Sequence, residues 1–318
     1  MNAIRVSHFG DPSVLELKEV PELSAAPGQL LVRLHAAGVN PVDAYIRSGK
    51  YARLPALPYT PGIDGAGVIE QSEVPAFSPG SRVYVAASLT GAYAEQTLCA
   101  PDQIFLLPDH ISFEQGAALG IPYGTAAWAL FHRGQARSDE TLLIHGASGG
   151  VGLAALQLAH AAGLRVLGTA GTPEGLDLIR QHGADDAFNH RDPHSLDQIK
   201  AATDGRGLDL ILEMVANLNL GHDLGLLATK GRVVVVGSRG PVEIDPRNLM
   251  AREADIRGIM FSSASPAERA EIYHRISSGL EHRSLNPVIG QAFPLRDAAR
   301  AHEQIMTSNA RGKIVLTM

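Results

Sequence analysis

The chain contains one cysteine, Cys99, in 318 residues. A lone thiol excludes internal disulfides and any multi-cysteine metal site. No continuous apolar stretch is long enough to span a bilayer. Residues 1–20 place Arg5, Asp11, Glu16, Lys18 and Glu19 among the apolar positions, so no signal peptide is read there. Basic runs are also absent. The 27 Lys and Arg against 33 Asp and Glu leave a formal charge of -6, a poor electrostatic match for nucleic acid or an anionic membrane. There is no internal repeat and no low-complexity linker. What remains, at 45% hydrophobic and 19% charged, suits a two-domain globular protein in a reducing, cytoplasmic setting.

The most informative segment present is Gly146-Ala-Ser-Gly-Gly-Val-Gly152. Upstream, Thr141-Leu-Leu-Ile144 reads as a buried parallel strand. Downstream, Val151, Ala154, Ala155, Leu158, Ala159 and Ala162 recur at helical spacing. Strand, glycine turn and helix form the context in which a dinucleotide pyrophosphate is held: missing side chains let phosphates approach the backbone, and the helix N-terminus offers free N–H groups. The plainer alternative is a glycine-rich strand-to-helix turn. In register with G-x-G-x-x-G the positions are Ala147, Gly149 and Gly152, so an alanine replaces the first glycine.

The first hundred residues are a different texture. Short β-rich runs at Val14–Leu17, Leu30–His35, Gly67–Glu70 and Arg82–Ala86 are broken by Pro-Gly turns, which predicts an irregular, mostly antiparallel β domain. Phe113 to His132 predicts a helix broken at Pro122, then a second helix. Past the glycine run, strands at Arg165–Thr169, Asp186–Phe188, Leu208–Met214 and Gly231–Val236 alternate with helices. One helix opens at Thr172-Pro173, and another at the capping-box pattern Ser195-Leu-Asp-Gln198. Such alternation predicts a parallel sheet covered on both faces. A strand at Arg257–Phe261, helices at Pro266–Gly279 and Leu295–Thr307, and a strand at Gly312–Leu316 complete the chain. The last strand is expected to return to the first domain.

The end of the second parallel strand bears on NAD against NADP. NAD-specific folds place an acid there, which repels a 2′-phosphate. Here Leu167-Gly-Thr-Ala-Gly-Thr172 has no acid until Glu174, and His190, Arg191 and Arg239 follow later strands. NADPH is therefore expected, although Arg191 and Arg239 also suit solvated surface positions.

Several segments together resemble the zeta-crystallin and NADPH:quinone oxidoreductase family of zinc-free medium-chain dehydrogenase/reductases. They are Gly38-Val-Asn-Pro-Val-Asp-Ala-Tyr-Ile-Arg-Ser-Gly49, Tyr59-Thr-Pro-Gly62, Gly120-Ile-Pro-Tyr123, His145-Gly-Ala-Ser-Gly-Gly-Val-Gly152, Gly168-Thr-Ala-Gly-Thr172, Phe188-Asn-His-Arg191 and Val235-Val-Gly-Ser-Arg-Gly240. The resemblance implies an α/β protein: a GroES-like, mostly-β catalytic domain (1–118 and 259–318) and a Rossmann doubly wound parallel-sheet domain (119–258), with the cofactor in the cleft between them. It places Tyr45 and Thr125 at the nicotinamide, Ser148, Gly149, Gly150 and Val151 at the pyrophosphate, and Gly171, His190 and Arg239 around the adenosine ribose and its phosphate. Asn219, Val236, Gly237 and Ser238 would line the groove, and Met260 and Phe261 would cover the nicotinamide, in a stretch one residue shorter than the family pattern. Zinc relatives carry a cysteine where this chain has Asn40, and their four-cysteine lobe has no counterpart among Val85–Tyr93, so no metal is expected. The family also implies a homodimer or homotetramer.

Without zinc, a substrate carbonyl must be polarised by hydrogen-bond donors. Asn40, Tyr45 and Tyr51 are the candidates, with the tyrosines alternatively packing the cleft wall. The expected activity is NADPH-dependent reduction of a quinone. The alternatives are reduction of α,β-unsaturated aldehydes or ketones on the same scaffold, or a non-enzymatic role as an NADPH-binding structural or RNA-binding protein.

Overall fold

A computed structural model describes residues 1–307 and 311–318. In chain order the strands are β1 (Asn2–Arg5), β2 (Glu16–Glu19), β3 (Leu30–Val39), β4 (Asp64–Ser72), β5 (Arg82–Val85), β6 (Gln96–Cys99) and β7 (Ile104–Leu106). There follow β8 (Thr141–Ile144), β9 (Arg165–Ala170), β10 (Asp186–Asn189), β11 (Leu208–Glu213), β12 (Leu227–Val235), β13 (Asp255–Gly258), β14 (Ile289–Pro294) and β15 (Lys313–Thr317). The chain forms two compact units, Met1–Pro122 with Tyr273–Met318, and Tyr123–Ile272. The boundaries drawn from sequence stood at 118 and 258; the second unit here also takes in the segment beyond β13 up to Ile272.

In the first unit a seven-stranded sheet runs β14-β15-β3-β4-β5-β7, with β6 pairing β3 off that path. All pairings but β14 with β15 are antiparallel. The carboxyl-terminal strand β15 joins β3 in register Ile314↔Val39, so the end of the chain does return to this unit. Ile4, Leu30, Val32, Ile69, Val83, Tyr93, Ile104 and Leu316 build its buried core. Alternation along β4 is lost because both faces are covered over most of its length, and it runs Asp64–Ser72 where the sequence suggests Gly67–Glu70; β5, Arg82–Val85, ends one residue short of the expected Ala86.

The second unit is a six-stranded parallel sheet in the order β10-β9-β8-β11-β12-β13, the doubly wound arrangement of a Rossmann domain. Both flanks of its central strand β8 are filled, and all four of its residues are buried. The protein is of the α/β class.

Three local expectations are corrected. Pro122 does not break a helix: it lies in the first turn of the helix Gly120–Ala127, where its missing N–H costs nothing, and a π-helical segment Trp128–Arg133 follows. Ser195 is not an N-cap. His194 holds that position, because the Asp192 carboxylate already takes the His194 N–H at 2.8 Å and the Gln198 amide at 3.1 Å. The strand read at Arg257–Phe261 is instead Asp255–Gly258, and Phe261 begins a 3-10 turn. No helix among the described residues is long and apolar enough to cross a membrane.

Candidate nucleotide site and buried polar networks

Strand β8 delivers the chain to the glycine turn at its carboxyl end. Gly146 adopts φ +59°, in the left-handed region, while its N–H donates to Thr169 Oγ1 at 3.2 Å and the Ala147 N–H to the Thr169 carbonyl at 2.9 Å. The left-handed residue is thus one position ahead of the motif's first glycine, so Ala147 is accommodated, fully buried, without strain. Gly149 caps the helix Gly150–Ala161 with no side-chain acceptor. The first N–H groups of that helix have no partner within the helix and carry its positive dipole end. Gly152 is required for packing: a Cβ there would stand 2.6 Å from Ala147 Cα and from the Gly146 carbonyl oxygen.

At the end of β9, a Cβ on Gly171 would stand 2.8 Å from His190 Nε2 and 3.0 Å from Arg191 Nε. Two basic side chains therefore converge on a residue with no side chain. Thr172 caps the next helix, accepting from the Gly175 N–H at 3.1 Å. Beyond β11 and β12, Asn219 donates to Glu213 Oε1 at 3.3 Å, and the N–H groups of Val236 and Gly237 donate to the Glu213 carbonyl at 2.8 and 3.2 Å. Ser238 Oγ donates to the Gly240 carbonyl, and the Arg239 N–H to Asn217 Oδ1. Ser148, Gly149, Gly150, Val151, Gly171, His190, Asn219 and residues 236–239 thus all follow carboxyl ends of parallel strands, where ligands of open α/β sheets bind. Thr125 lies half-buried on the helix Gly120–Ala127. Met260 is exposed, and the Phe261 ring sits 6.3 Å from that of Trp128.

The first unit holds a buried polar network around Asn40, which precedes the helix Pro41–Arg47. Its N–H donates to Asp43 Oδ2 at 2.8 Å and its Nδ2 to Asp64 Oδ2 at 2.9 Å, while Lys313 Nζ donates to its Oδ1. Asp64 Oδ1 accepts the Ile121 N–H at 2.7 Å. Burial first, and then the neighbouring Asp64, push the Asp43 carboxyl up to about 7. Tyr93 links this network to His302, its hydroxyl lying 3.1 Å from His302 Nε2. Burial, then Arg47, push that imidazole down to about 3. Both ends of the Asn40 amide are therefore engaged inside the unit. Tyr45 and Tyr51 are half-buried, Tyr45 on the helix that Asn40 starts.

Sequence reasoning missed Asp43, Asp64, Tyr93, His302 and Lys313 here, and His145, Glu213 and Asp223 beside the glycine turn. The available signal was a charged residue inside an apolar run, as in Gly312-Lys-Ile-Val-Leu316 and Leu210-Ile-Leu-Glu213.

Comparison with known proteins agrees with this architecture. Residues 26–127 match the alcohol dehydrogenase GroES-like domain, and residues 150–278 match the zinc-binding dehydrogenase domain. The chain is 50% identical to quinone oxidoreductase of Mus musculus and 48% identical to that of Sus scrofa, in each case over 100% of this chain and 98% of the relative. The solved quinone oxidoreductase of Thermus thermophilus, also determined in complex with NADPH, superposes with a TM-score of 0.88 at 33% identity, covering 100% of both chains. With full-length identity at that level and both domain matches in order, the chain belongs to the quinone oxidoreductase family of medium-chain dehydrogenase/reductases.

Proposed function

We propose that this protein is an NADPH-dependent quinone reductase that works without a metal. The observation that carries the cofactor is the end of β9, where His190 and Arg191 close on Gly171 and no acid appears until Glu174. An acid at that position would repel a 2′-phosphate; the Arg191 guanidinium attracts one, and the His190 imidazole, which burial holds below its ordinary range, meets it as a hydrogen-bond partner. The Thermus relative's complex with NADPH and the names of the mammalian relatives support the same reading.

NADPH, when bound, supplies the hydride that a quinone accepts. The chain's own residues hold it. Ser148, Gly149, Gly150 and Val151 present the pyrophosphate site, and Gly171, His190 and Arg239 take the ribose and its phosphate. Asn219, Val236, Gly237 and Ser238 form the groove, with Tyr45, Thr125, Met260 and Phe261 serving the nicotinamide. Tyr45 donates its hydroxyl to the acceptor's carbonyl, and Tyr51 is the second donor. Asn40, whose amide is fully engaged, acts as a positioning residue that fixes the start of the Tyr45 helix.

Zinc, which one matching domain name implies, does not suit these donors. Asn40 Oδ1 already receives the Lys313 ammonium, and Cys99 is buried with its Sγ 3.7 Å from the Ala87 carbonyl. The single buried thiol supports a cytoplasmic setting. A homodimer or homotetramer is supported by β13, an exposed strand at the edge of the parallel sheet. The net charge of -6 weighs against an RNA partner.

Steady-state kinetics with NADPH and NADH, against ortho-quinones and alkenals, test the proposal. NADPH with ortho-quinones is expected to give the highest kcat/KM. Preference for alkenals would reassign the substrate, and equal use of NADH would overturn the cofactor.

A further inference from the structure

Beside the glycine turn lies a cluster that the nucleotide reading does not use. His145 follows β8, Glu213 ends β11, and Asp223 closes the helix Ala216–Asp223; both acids are fully buried. His145 Nε2 lies 2.8 Å from Asp223 Oδ1 and 3.6 Å from Glu213 Oε2. Two oxygens, Glu213 Oε2 and Asp223 Oδ2, are buried with no hydrogen-bond partner. The remaining Glu213 oxygen accepts from the Val215 N–H and from Asn219. On the other side of the imidazole, Thr169 Oγ1 stands 3.4 Å from Nδ1 and accepts the Gly146 N–H. The cluster therefore ties the first residue of the glycine turn to Asn219 and, through the Glu213 carbonyl, to Val236 and Gly237.

Its charge does not balance as drawn. Two carboxylates and one imidazolium leave one negative charge in a buried interior, a costly state unless a proton or a cation cancels it. A divalent cation is one solution, since a ligand atom from each residue lies within 4.8 Å of the others. The contact between Nε2 and Asp223 argues against it: 2.8 Å is the length of a charge-assisted hydrogen bond. Two ligands each 2.0–2.1 Å from a tetrahedral zinc stand about 3.3 Å apart. A proton requires no such opening.

We propose that His145, Glu213 and Asp223 form a proton-holding clamp, in which Glu213 shares a proton with Asp223 beside an imidazolium His145, and that this neutral cluster sets the nucleotide groove in its binding geometry. The nucleotide half of this inference rests on the function proposed above; the proton half does not. Burial, with Asp223 adding to it and His145 opposing it, pushes the Glu213 carboxyl up to about 7. Burial alone would lower the His145 imidazole, but Asp223 and Glu213 outweigh it and raise it. The next titratable group is His190, just past the end of β10, whose imidazole is pushed down by burial first, then by Arg191 and His145. Because the folded state keeps protons that the unfolded chain gives up, the Glu213 contribution is whole below the ordinary carboxyl value of 4.5 and is lost as pH rises from there through about 7. When the shared proton leaves to solvent, a negative charge remains next to the turn assigned to the pyrophosphate.

Glu213→Gln tests this. Glutamine keeps the oxygen that Val215 and Asn219 use, and its amide N–H replaces the shared proton. Without nucleotide, the melting temperature of the variant relative to wild type is expected to rise by about 2 °C or more between pH 5.5 and pH 8.5. Asp223→Asn replaces the same proton from the other side and should show the same relative rise. With NADPH, wild-type affinity is expected to fall about fivefold or more between pH 6.5 and 8.5, and most of that fall to vanish in Glu213→Gln, in which His190 and the nucleotide's own phosphate still titrate. Equal destabilisation of both variants at both pH values overturns the shared proton. Normal melting behaviour with an NADPH profile parallel to wild type overturns the clamp. Stoichiometric metal whose removal by chelator lowers the melting temperature overturns the proton in favour of a cation. Absence of NADPH binding by the wild type overturns the functional reading, and the melting curves still decide the proton.

Discussion

Lys313 Nζ lies 3.2 Å from Asp64 Oδ2, joining the last strand of the chain to the first residue of β4 across 249 positions of sequence. The pair is fully buried, and a second buried carboxylate, Asp43, shares the same network. A Cβ on Gly38 would stand 2.9 Å from Lys313 Cε, so this glycine in β3 makes room for the lysine stem.

Removing one member of such a pair leaves the other charged and unpaired in the interior. Lys313→Met is expected to cost about 3–5 kcal/mol of unfolding free energy, against at most about 1 kcal/mol for removing Arg33 from its exposed pair with Glu70. Urea titration of both variants checks this. Equal small losses would mean that Lys313 is not needed for charge balance.

Gly152 separates a packing role from a general need for flexibility, since it is buried and has a helical backbone. Gly152→Ala forces its Cβ against Ala147 and Gly146 and should weaken NADPH binding by about tenfold or more. Fluorescence titration reads the effect; unchanged affinity would remove this turn from the cofactor site.

His302 gives a signed pH prediction. Its folded pKa is depressed to about 3, so the unfolded chain takes up a proton below the ordinary 6.5 that the folded chain refuses. Stability from this group is present above about 6.5 and is lost as pH falls toward 3. His302→Gln, which can still meet the Tyr93 hydroxyl, should flatten the decline in Tm between pH 6.5 and 4. Parallel curves for variant and wild type would contradict the assignment.

Tyr45 and Asn40 should fail in different ways. Tyr45→Phe is expected to lower kcat with an ortho-quinone by about tenfold while NADPH affinity and Tm stay near wild type. Asn40→Ala should lower Tm first, because it removes partners of both Asp64 and Lys313. An unchanged kcat in Tyr45→Phe would take that hydroxyl out of the chemistry.

The second unit was legible where local rules govern it. The strand before Gly146, the helix after it and the β–α alternation follow from periodicity and glycine placement. Ser195 misled because the competing Asp192 carboxylate stands outside the four-residue capping pattern. Residues 259–261 misled because their apolar character continued past the last β13 ladder contact at Gly258. The buried charges were invisible for another reason. Lys313 meets Asp64, and His145 meets Asp223, only after distant segments of the chain fold together, so no spacing along the chain encodes either contact.

Calorimetric titration of the purified protein with NADPH, alongside elemental analysis of the same sample, is the decisive measurement. Saturable NADPH uptake, weaker uptake of NADH and no stoichiometric zinc are predicted. No detectable heat of NADPH binding, or zinc at one equivalent per chain, would contradict a metal-free NADPH enzyme.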